Sequence, residues 1–151
     1  MRTPASIAGH PIHPMLVPLA IGLWIFSLVC DIAFAFGTGD PAWKTVALYT
    51  AVGGVVGALA AAVPGLIDLL SLPPAIRRTG VIHMTINLAV VALFAIGSWL
   101  RVSSTGTPLP FGTPVLLSIA GVALLAVSGW LGGKMVYEAG VGVDDAALTR
   151  R

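Results

Sequence analysis

Charged residues are scarce in this sequence, at 9% of 151 residues, whereas hydrophobic residues make up 57%. A soluble domain usually carries about 25% charged residues. Because so few charges cannot cover a water-facing surface, the composition excludes an ordinary soluble protein and predicts that most of the surface faces lipid. The formal net charge of only +2 is also too small to indicate a nucleic-acid partner.

Cysteine is nearly absent, since Cys30 is the single one in the sequence, and this excludes an internal disulfide. Cys30 lies in a long apolar run, where we interpret it as a small side chain at a helix interface. The sequence also lacks a nucleophile constellation and a phosphate-binding loop. A soluble-type enzyme is therefore the least favoured class, and we expect the chain to have no catalytic activity of its own.

Four apolar runs are long enough to cross a bilayer, because about 20 apolar residues span a hydrocarbon core of roughly 30 Å. They predict an all-α fold, an integral membrane four-helix bundle that forms one domain over residues 1–151. The predicted helices cover residues 14–36, 43–70, 79–101 and 114–138. The first run is longer than the apolar region of a signal peptide, which has about 7–15 residues, so we expect it to be retained.

Basic residues are distributed unevenly between the two sides of the predicted bundle. Four crossings place both termini and the loop between helices 2 and 3 on one side. The basic residues on that side are Arg2, Arg77, Arg78, Lys134, Arg150 and Arg151. The other side holds Lys44 and Arg101. The positive-inside rule then predicts that both termini lie in the cytoplasm, and we expect the protein in the inner (plasma) membrane.

The residues that membranes disfavour gather at the predicted cytoplasmic end of the helices. They are His10, His13, His83, Asp68, Asn87, Lys134 and Glu138. Asp31 is the exception, because it lies near the outer end of helix 1, where we expect it to face Lys44 or Arg101. Ionisable groups inside a membrane are costly and are functional candidates by default. Alternate helices begin on the same side, so we expect His13 and His83 to face one shared site. Lys134 and Glu138 also have the i,i+4 spacing of a plain surface ion pair.

An offset of 70 residues relates some of these positions, since 83 − 13 and 138 − 68 both equal 70. His13 would thus correspond to His83, and Asp68 to Glu138. This pattern indicates two tandem helical hairpins, which would be related by an axis along the membrane normal. Four antiparallel helices without any duplication would cluster the same residues, so both interpretations stay open.

Several segments resemble a bacterial family of small four-helix membrane proteins that is catalogued as a transmembrane domain of unknown function. They are His10–Val17 with its His-Pro-x-His-Pro motif, Gly65–Leu70, His83–Leu88 and Gly129–Tyr137. The resemblance covers most of the chain and implies a membrane fold without an assigned activity. Some relatives look fused to Rieske-type iron–sulfur domains, which implies a redox setting, although one cysteine cannot ligate such a cluster.

The first functional hypothesis is an accessory or anchoring subunit of a membrane complex that holds a b-type haem between helices 1 and 3. Its axial ligands would be the two facing histidines, and basic side chains would meet the propionates. The residues of this site would be His13, His83, Asn87, Arg77, Arg78 and Lys134. Small residues that repeat along helix 2 from Gly53 to Gly65 would form either a slot for the flat cofactor or an ordinary packing surface.

The alternative hypothesis is a zinc or copper site, or a pathway for protons or small solutes past the same groups. The metal ligands would be His10, His13, His83, Asp68 and Glu138. The polar groups do not continue through the outer half, which argues against a full channel. A protein with no cofactor stays open as well. The expected partners are the lipid bilayer and other membrane-complex subunits, and an oligomer is compatible with the sequence.

The orientation is tested by engineered cysteines at Ile76 and Thr105, which the topology places on opposite sides of the membrane. We expect a membrane-impermeant thiol reagent added to intact cells to label the cysteine at Thr105 and to spare the one at Ile76. Labelling of both from the same side would contradict the four-crossing topology.

Overall fold

Four helices make up most of the residues that the computed structural model describes, which are 1–37, 39–103 and 112–143. They are α1 (Ile12–Phe36), α2 (Ala42–Ser71), α3 (Pro74–Ser103) and α4 (Thr113–Tyr137). All four are long and apolar enough to cross a membrane, and this confirms the predicted all-α membrane bundle. Most of the predicted loop between helices 3 and 4, and the tail with Arg150 and Arg151, lie outside the described residues.

Helix α3 begins at Pro74, five residues before the predicted start at residue 79. Pro74 can begin the helix, because a proline in the first helical turn removes an N–H that has no helical acceptor anyway. Leu72 and Pro73 alone therefore link α2 to α3. The short link places the beginning of α3 directly beside the end of α2.

The helices form two antiparallel hairpins, because α1 packs most extensively against α2, and α3 against α4. The two hairpins meet where α2 contacts α3 and where α1 contacts α4. This arrangement places α1 and α3 diagonally opposite each other. Side chains that point inward from these two helices therefore meet in the centre of the bundle.

Three pairs of side chains join α1 to α3 across this centre, and in each pair the two residues are 70 positions apart. Trp24 stacks on Phe94 with ring centroids 4.7 Å apart and an interplanar angle of 11°. Asp31 accepts two hydrogen bonds from Arg101, of 2.8 and 2.6 Å. The third pair, His13 and His83, belongs to the candidate site and is described there. Equivalent residues of two repeats touch each other only close to the axis that relates them, so these pairs support the two-hairpin interpretation.

Helices α2 and α4 follow the same relation with a slightly shorter offset. A Cβ atom added at Gly54 would lie 2.5 Å from the indole of Trp24, and one added at Gly121 would lie 2.6 Å from the ring of Phe94. These glycines are 67 residues apart (121 − 54). Each central ring thus packs on the bare backbone of a glycine in its own hairpin.

A buried ion cluster closes the end of the bundle opposite the histidines. Asp31 is 0% exposed, and it pairs with Lys44 at 3.1 Å as well as with Arg101. Arg101 also lies within 3.4 Å of the Ser118 hydroxyl. A buried carboxylate is tolerated only when it is paired and hydrogen-bonded. The sequence predicted Lys44 or Arg101 as the partner of Asp31, and the structure shows both.

We call the end of the bundle that carries His13 and His83 the histidine end. The bundle is apolar between the ion cluster and this end. Its core consists of Ala20, Trp24, Ala51, Val90, Phe94 and Leu125. The outward faces carry large aliphatic and aromatic side chains with high exposure, as lipid contact requires. The histidine end and the ion cluster are therefore separated by a packed apolar layer.

We expect Gly54→Ala to lower the free energy of unfolding by about 1–3 kcal/mol, because the added methyl group overpacks the contact with Trp24. Thermal unfolding in detergent, followed by circular dichroism, measures the loss. Gly22→Ala is the matched control, since a Cβ atom at Gly22 meets nothing within 4 Å. Equal melting temperatures for the two variants would contradict the tight packing of Trp24.

Candidate functional site

The imidazole rings of His13 and His83 meet at the histidine end of the bundle. Their centroids are 6.4 Å apart, and the ring planes are nearly perpendicular, at 85°. His13 is the second residue of α1, whereas His83 lies nine residues after the start of α3. The two residues form the third pair across the central axis. The proximity of these two rings was predicted from the shared starting side of alternate helices, and it is confirmed.

Each ring is held by a backbone carbonyl of the neighbouring helix in its own hairpin. Nδ1 of His13 lies 2.8 Å from the Ala61 carbonyl oxygen, and Nδ1 of His83 lies 3.0 Å from that of Ser128. A carbonyl oxygen can only accept, so both contacts are favourable only if Nδ1 carries the proton. In a neutral ring this leaves Nε2 as the atom with a free lone pair. Ala61 and Ser128 are 67 residues apart, which is the offset that relates α2 to α4.

A glycine one turn further along the same helix makes room for each ring. A Cβ atom at Gly65 would lie 2.7 Å from Nδ1 of His13, and one at Gly132 would lie 3.3 Å from Cε1 of His83. The two hairpins therefore repeat one local arrangement, in which a histidine lies on a glycine and donates to the carbonyl four residues earlier. The Nδ1 contact and the packing on glycine together hold each ring in place.

The small-residue surface of α2 is filled by side chains of α1. Leu23 approaches within 3.3 Å of the Cβ position at Gly53, and Leu19 within 3.7 Å of that at Gly57. The indole of Trp24 covers Gly54, and the imidazole of His13 covers Gly65. The surface is thus a packing surface, and the interpretation of this part of α2 as a slot for a flat cofactor is wrong.

Polar support differs between the two rings. Asn87 donates to the His83 carbonyl at 2.8 Å and to the Ser128 hydroxyl at 2.7 Å, and this hydroxyl lies 3.1 Å from Nδ1 of His83. The equivalent positions in the first hairpin are Val17 and Ala61, which carry no side-chain polar group. His83 is therefore fixed by a small hydrogen-bond network, whereas His13 is held by one carbonyl.

His10 and Asp68 lie at the same end but have other partners. Nδ1 of the exposed His10 lies 3.0 Å from the Ala8 carbonyl. Asp68 is buried and accepts a 2.9 Å hydrogen bond from the backbone N–H of Ala5. Asp68 thus holds the N-terminal segment, and neither residue joins the pair of rings through a hydrogen bond.

The predicted charged residues lie on the surface. Lys134 and Glu138 form a loose i,i+4 ion pair of 3.7 Å with both side chains largely exposed, as the plain interpretation expected. Arg77 donates to the Leu70 carbonyl at 3.2 Å and is exposed, as is Arg78. The correspondence predicted between Glu138 and the carboxylate near the end of α2 is wrong, because that carboxylate is buried and α2 matches α4 at an offset of 67.

The structure does not gather the five predicted metal ligands into one site. These were His10, His13, His83, Asp68 and Glu138. Within residues 1–37, 39–103 and 112–143, no group of three or more His, Cys, Asp or Glu side chains is arranged to hold a metal ion. The histidine pair is what remains of that set, and any ion held there would have two protein ligands.

The N-terminal segment closes the histidine end by linking two helices. Ser6–Ile7 and His10–Pro11 form a short antiparallel ladder, and the segment reaches α2 through the hydrogen bond from Ala5. The N-terminal ammonium group of Met1 donates to the carbonyls of Gly140 and Val143, at 2.9 and 2.8 Å. The chain after α4 is thus tied to the chain before α1.

Comparison with known proteins adds a family match. A family model described as "Predicted membrane protein (DUF2231)" matches residues 9–145. Neither a curated protein nor a solved structure matches the chain.

We expect ¹⁵N spectra of histidine-labelled protein in nanodiscs to show His13 and His83 protonated at Nδ1, because each Nδ1 faces a carbonyl. Gly65→Ala should shift the signals of His13 more than those of His83, since the atoms nearest to its methyl group belong to His13. Gly22→Ala is again the control. Signals typical of Nε2 protonation in both rings would contradict this arrangement.

Proposed function

We propose that this chain, which belongs to the DUF2231 family of predicted membrane proteins, is an accessory subunit of a membrane complex that holds one metal centre. The centre would be a copper ion between His13 and His83. The observation that carries the proposal is the pair of facing imidazoles, each with Nδ1 on a backbone carbonyl. The description of the family assigns no activity, so the proposal rests on this geometry.

Each of the two rings makes the Nδ1 contact that metal-binding histidines commonly make. A ligating imidazole almost always donates its other N–H to a carbonyl or carboxylate, which fixes the tautomer and directs the lone pair. With bonds of roughly 2 Å and a nitrogen about 1 Å from its ring centre, two ligands of one ion have ring centres up to about 6 Å apart. The observed separation of 6.4 Å is slightly above that limit, so an ion would draw the two rings a little closer together.

The charge and number of the ligands favour copper(I) over zinc. Zinc sites usually have at least three protein ligands, and two neutral imidazoles would leave its double charge uncompensated in an apolar bundle. Copper(I) carries a single charge and accepts two imidazoles in a linear arrangement, and imidazole suits copper in general. A copper centre would also give the subunit a redox role.

A b-type haem has less support than a bare ion, although its axial ligands would have the same spacing. The packing surface of α2 is filled by α1 side chains, and the cations proposed for the propionates are exposed. A solute pathway has less support still, because the stacked rings of Trp24 and Phe94 and the apolar core lie between the histidine end and the ion cluster.

The uneven distribution of basic residues favours an inner membrane, with the histidine end on the cytoplasmic side.

We expect the purified protein to bind about one copper(I) per chain in an anaerobic titration against a chromophoric copper(I) chelator. His13→Gln and His83→Gln should each weaken binding by more than about 100-fold, since even changes outside the ligand shell cost roughly 10–100-fold. His10→Gln is the matched control, because its exposed ring is not part of the pair and its affinity should stay unchanged.

Two outcomes would contradict copper binding at this site. One is wild-type protein that binds no copper(I), and the other is binding that survives both His13→Gln and His83→Gln. An absorbance spectrum of the protein as purified, oxidised and reduced, separates the alternatives. A Soret band that both variants abolish would replace the copper ion by a haem at the same pair.

A further inference from the structure

An open cavity of about 300 Å³ lies on the outward face of α4, near the histidine end. We call its lining the α4 patch, which consists of Gly129, Trp130, Gly133, Lys134, Tyr137 and Glu138. The two aromatic side chains project from the bundle, with 77% of Trp130 and 90% of Tyr137 exposed. The patch therefore combines a notch, two large rings and both signs of charge.

The glycines of the patch are unfilled, unlike the other glycines of the same helix. A Cβ atom at Gly129 would meet nothing within 4 Å, and one at Gly133 would meet only the nearby ring of Tyr137, at 3.9 Å. By contrast, Gly121 and Gly132 make room for central rings from α3. Packing within the chain thus explains the inward glycines of α4 and leaves Gly129 and Gly133 unexplained.

The first hairpin provides an internal comparison for this face. At the offset of 67, the residues of α2 that are equivalent to the patch are Ala62, Val63, Leu66, Ile67, Leu70 and Ser71. These side chains are exposed and almost all aliphatic, as lipid contact alone requires. The same position in the second hairpin has glycines, aromatic rings and an ion pair. Exposure to hydrocarbon alone therefore does not account for the α4 patch, and least of all for its unfilled glycines.

We propose that the α4 patch binds the α4 patch of a second copy of this chain, forming a two-fold dimer in the membrane. An isologous interface must be self-complementary, with each protrusion and each charge matched on the same surface. The patch meets this condition because the notch lies beside rings that can fill it. It also carries both Lys134 and Glu138, whereas a surface for a single anionic lipid headgroup would need only the cation.

Two copies inserted in the same orientation are related by an axis along the membrane normal, which brings equivalent depths together. Lys134 and Glu138 are one helical turn apart, about 6 Å, so the long side chain of Lys134 in each copy can reach Glu138 of the other. Their loose 3.7 Å pair, with side chains 51% and 65% exposed, leaves both free to exchange partners. The glycines let the two α4 backbones approach closely, as small-residue motifs do in membrane helix dimers.

The test uses resonance energy transfer between donor-labelled and acceptor-labelled copies in lipid vesicles. We expect wild-type protein to dimerise, and Gly133→Leu to raise the dissociation constant at least about ten-fold by filling the notch. Gly22→Leu is the control, because it adds the same side chain at an outward glycine of α1 with open space around it and should dimerise normally. Circular dichroism establishes that both variants are folded.

A second experiment reverses the charges of Lys134 and Glu138 and tests whether these residues pair with a second copy of the chain. Lys134→Glu and Glu138→Lys should each weaken self-association, because like charges then face each other across the axis. Mixing the two variants should restore dimers, since every cation again faces a carboxylate. A lipid headgroup bound to Lys134 would be lost in Lys134→Glu and would not return on mixing.

Three results would overturn the dimer. They are wild-type protein that stays monomeric at high protein-to-lipid ratio, equal dimerisation of Gly133→Leu and wild type, and mixed charge variants that associate no better than either alone. The test is independent of metal binding, because the α4 patch contains neither His13 nor His83.

Discussion

Rings from α1 and α3 lie directly on glycine backbone of α2 and α4, and this contact determines how closely the helices of each hairpin approach. Trp24 on Gly54 and Phe94 on Gly121 form the middle of the bundle, where the two rings then stack on each other. His13 and His83 make the same kind of contact with Gly65 and Gly132, which lie 11 residues further along α2 and α4. The close approach brings each Nδ1 within hydrogen-bond distance of a carbonyl, so helix packing and imidazole orientation have one physical cause.

The sequence predicted the elements and the histidine pair, because both follow from spanning length and from the side on which each helix starts. It did not predict the carbonyls of Ala61 and Ser128 or the glycines beneath the rings. Those contacts depend on the register between the helices of a hairpin, which hydropathy does not encode. A small residue four positions before a glycine, as at Ala61 and Gly65, is the signal that was available.

The depth of a residue in the membrane also predicted its contacts less well than the face of the helix on which it lies. Asp68 and Glu138 lie at the same end as the histidines, yet one binds the N-terminal segment and the other is on the surface. Successive residues turn by about 100° around a helix, so residues at one depth point in different directions. The sequence grouped them by depth alone, and this is why the five-ligand metal set does not assemble.

The ion cluster around Asp31 bears on how the chain is made. A helix that enters the bilayer with an unpaired carboxylate carries a cost of several kcal/mol. Lys44 is only 13 positions from Asp31 and pairs with it at 3.1 Å, whereas Arg101 is 70 positions away. During synthesis the first hairpin therefore brings its own counterion into the membrane, and α3 reaches a carboxylate that is already neutralised. The order of the pairs along the chain thus matches the order in which the translocon releases the helices.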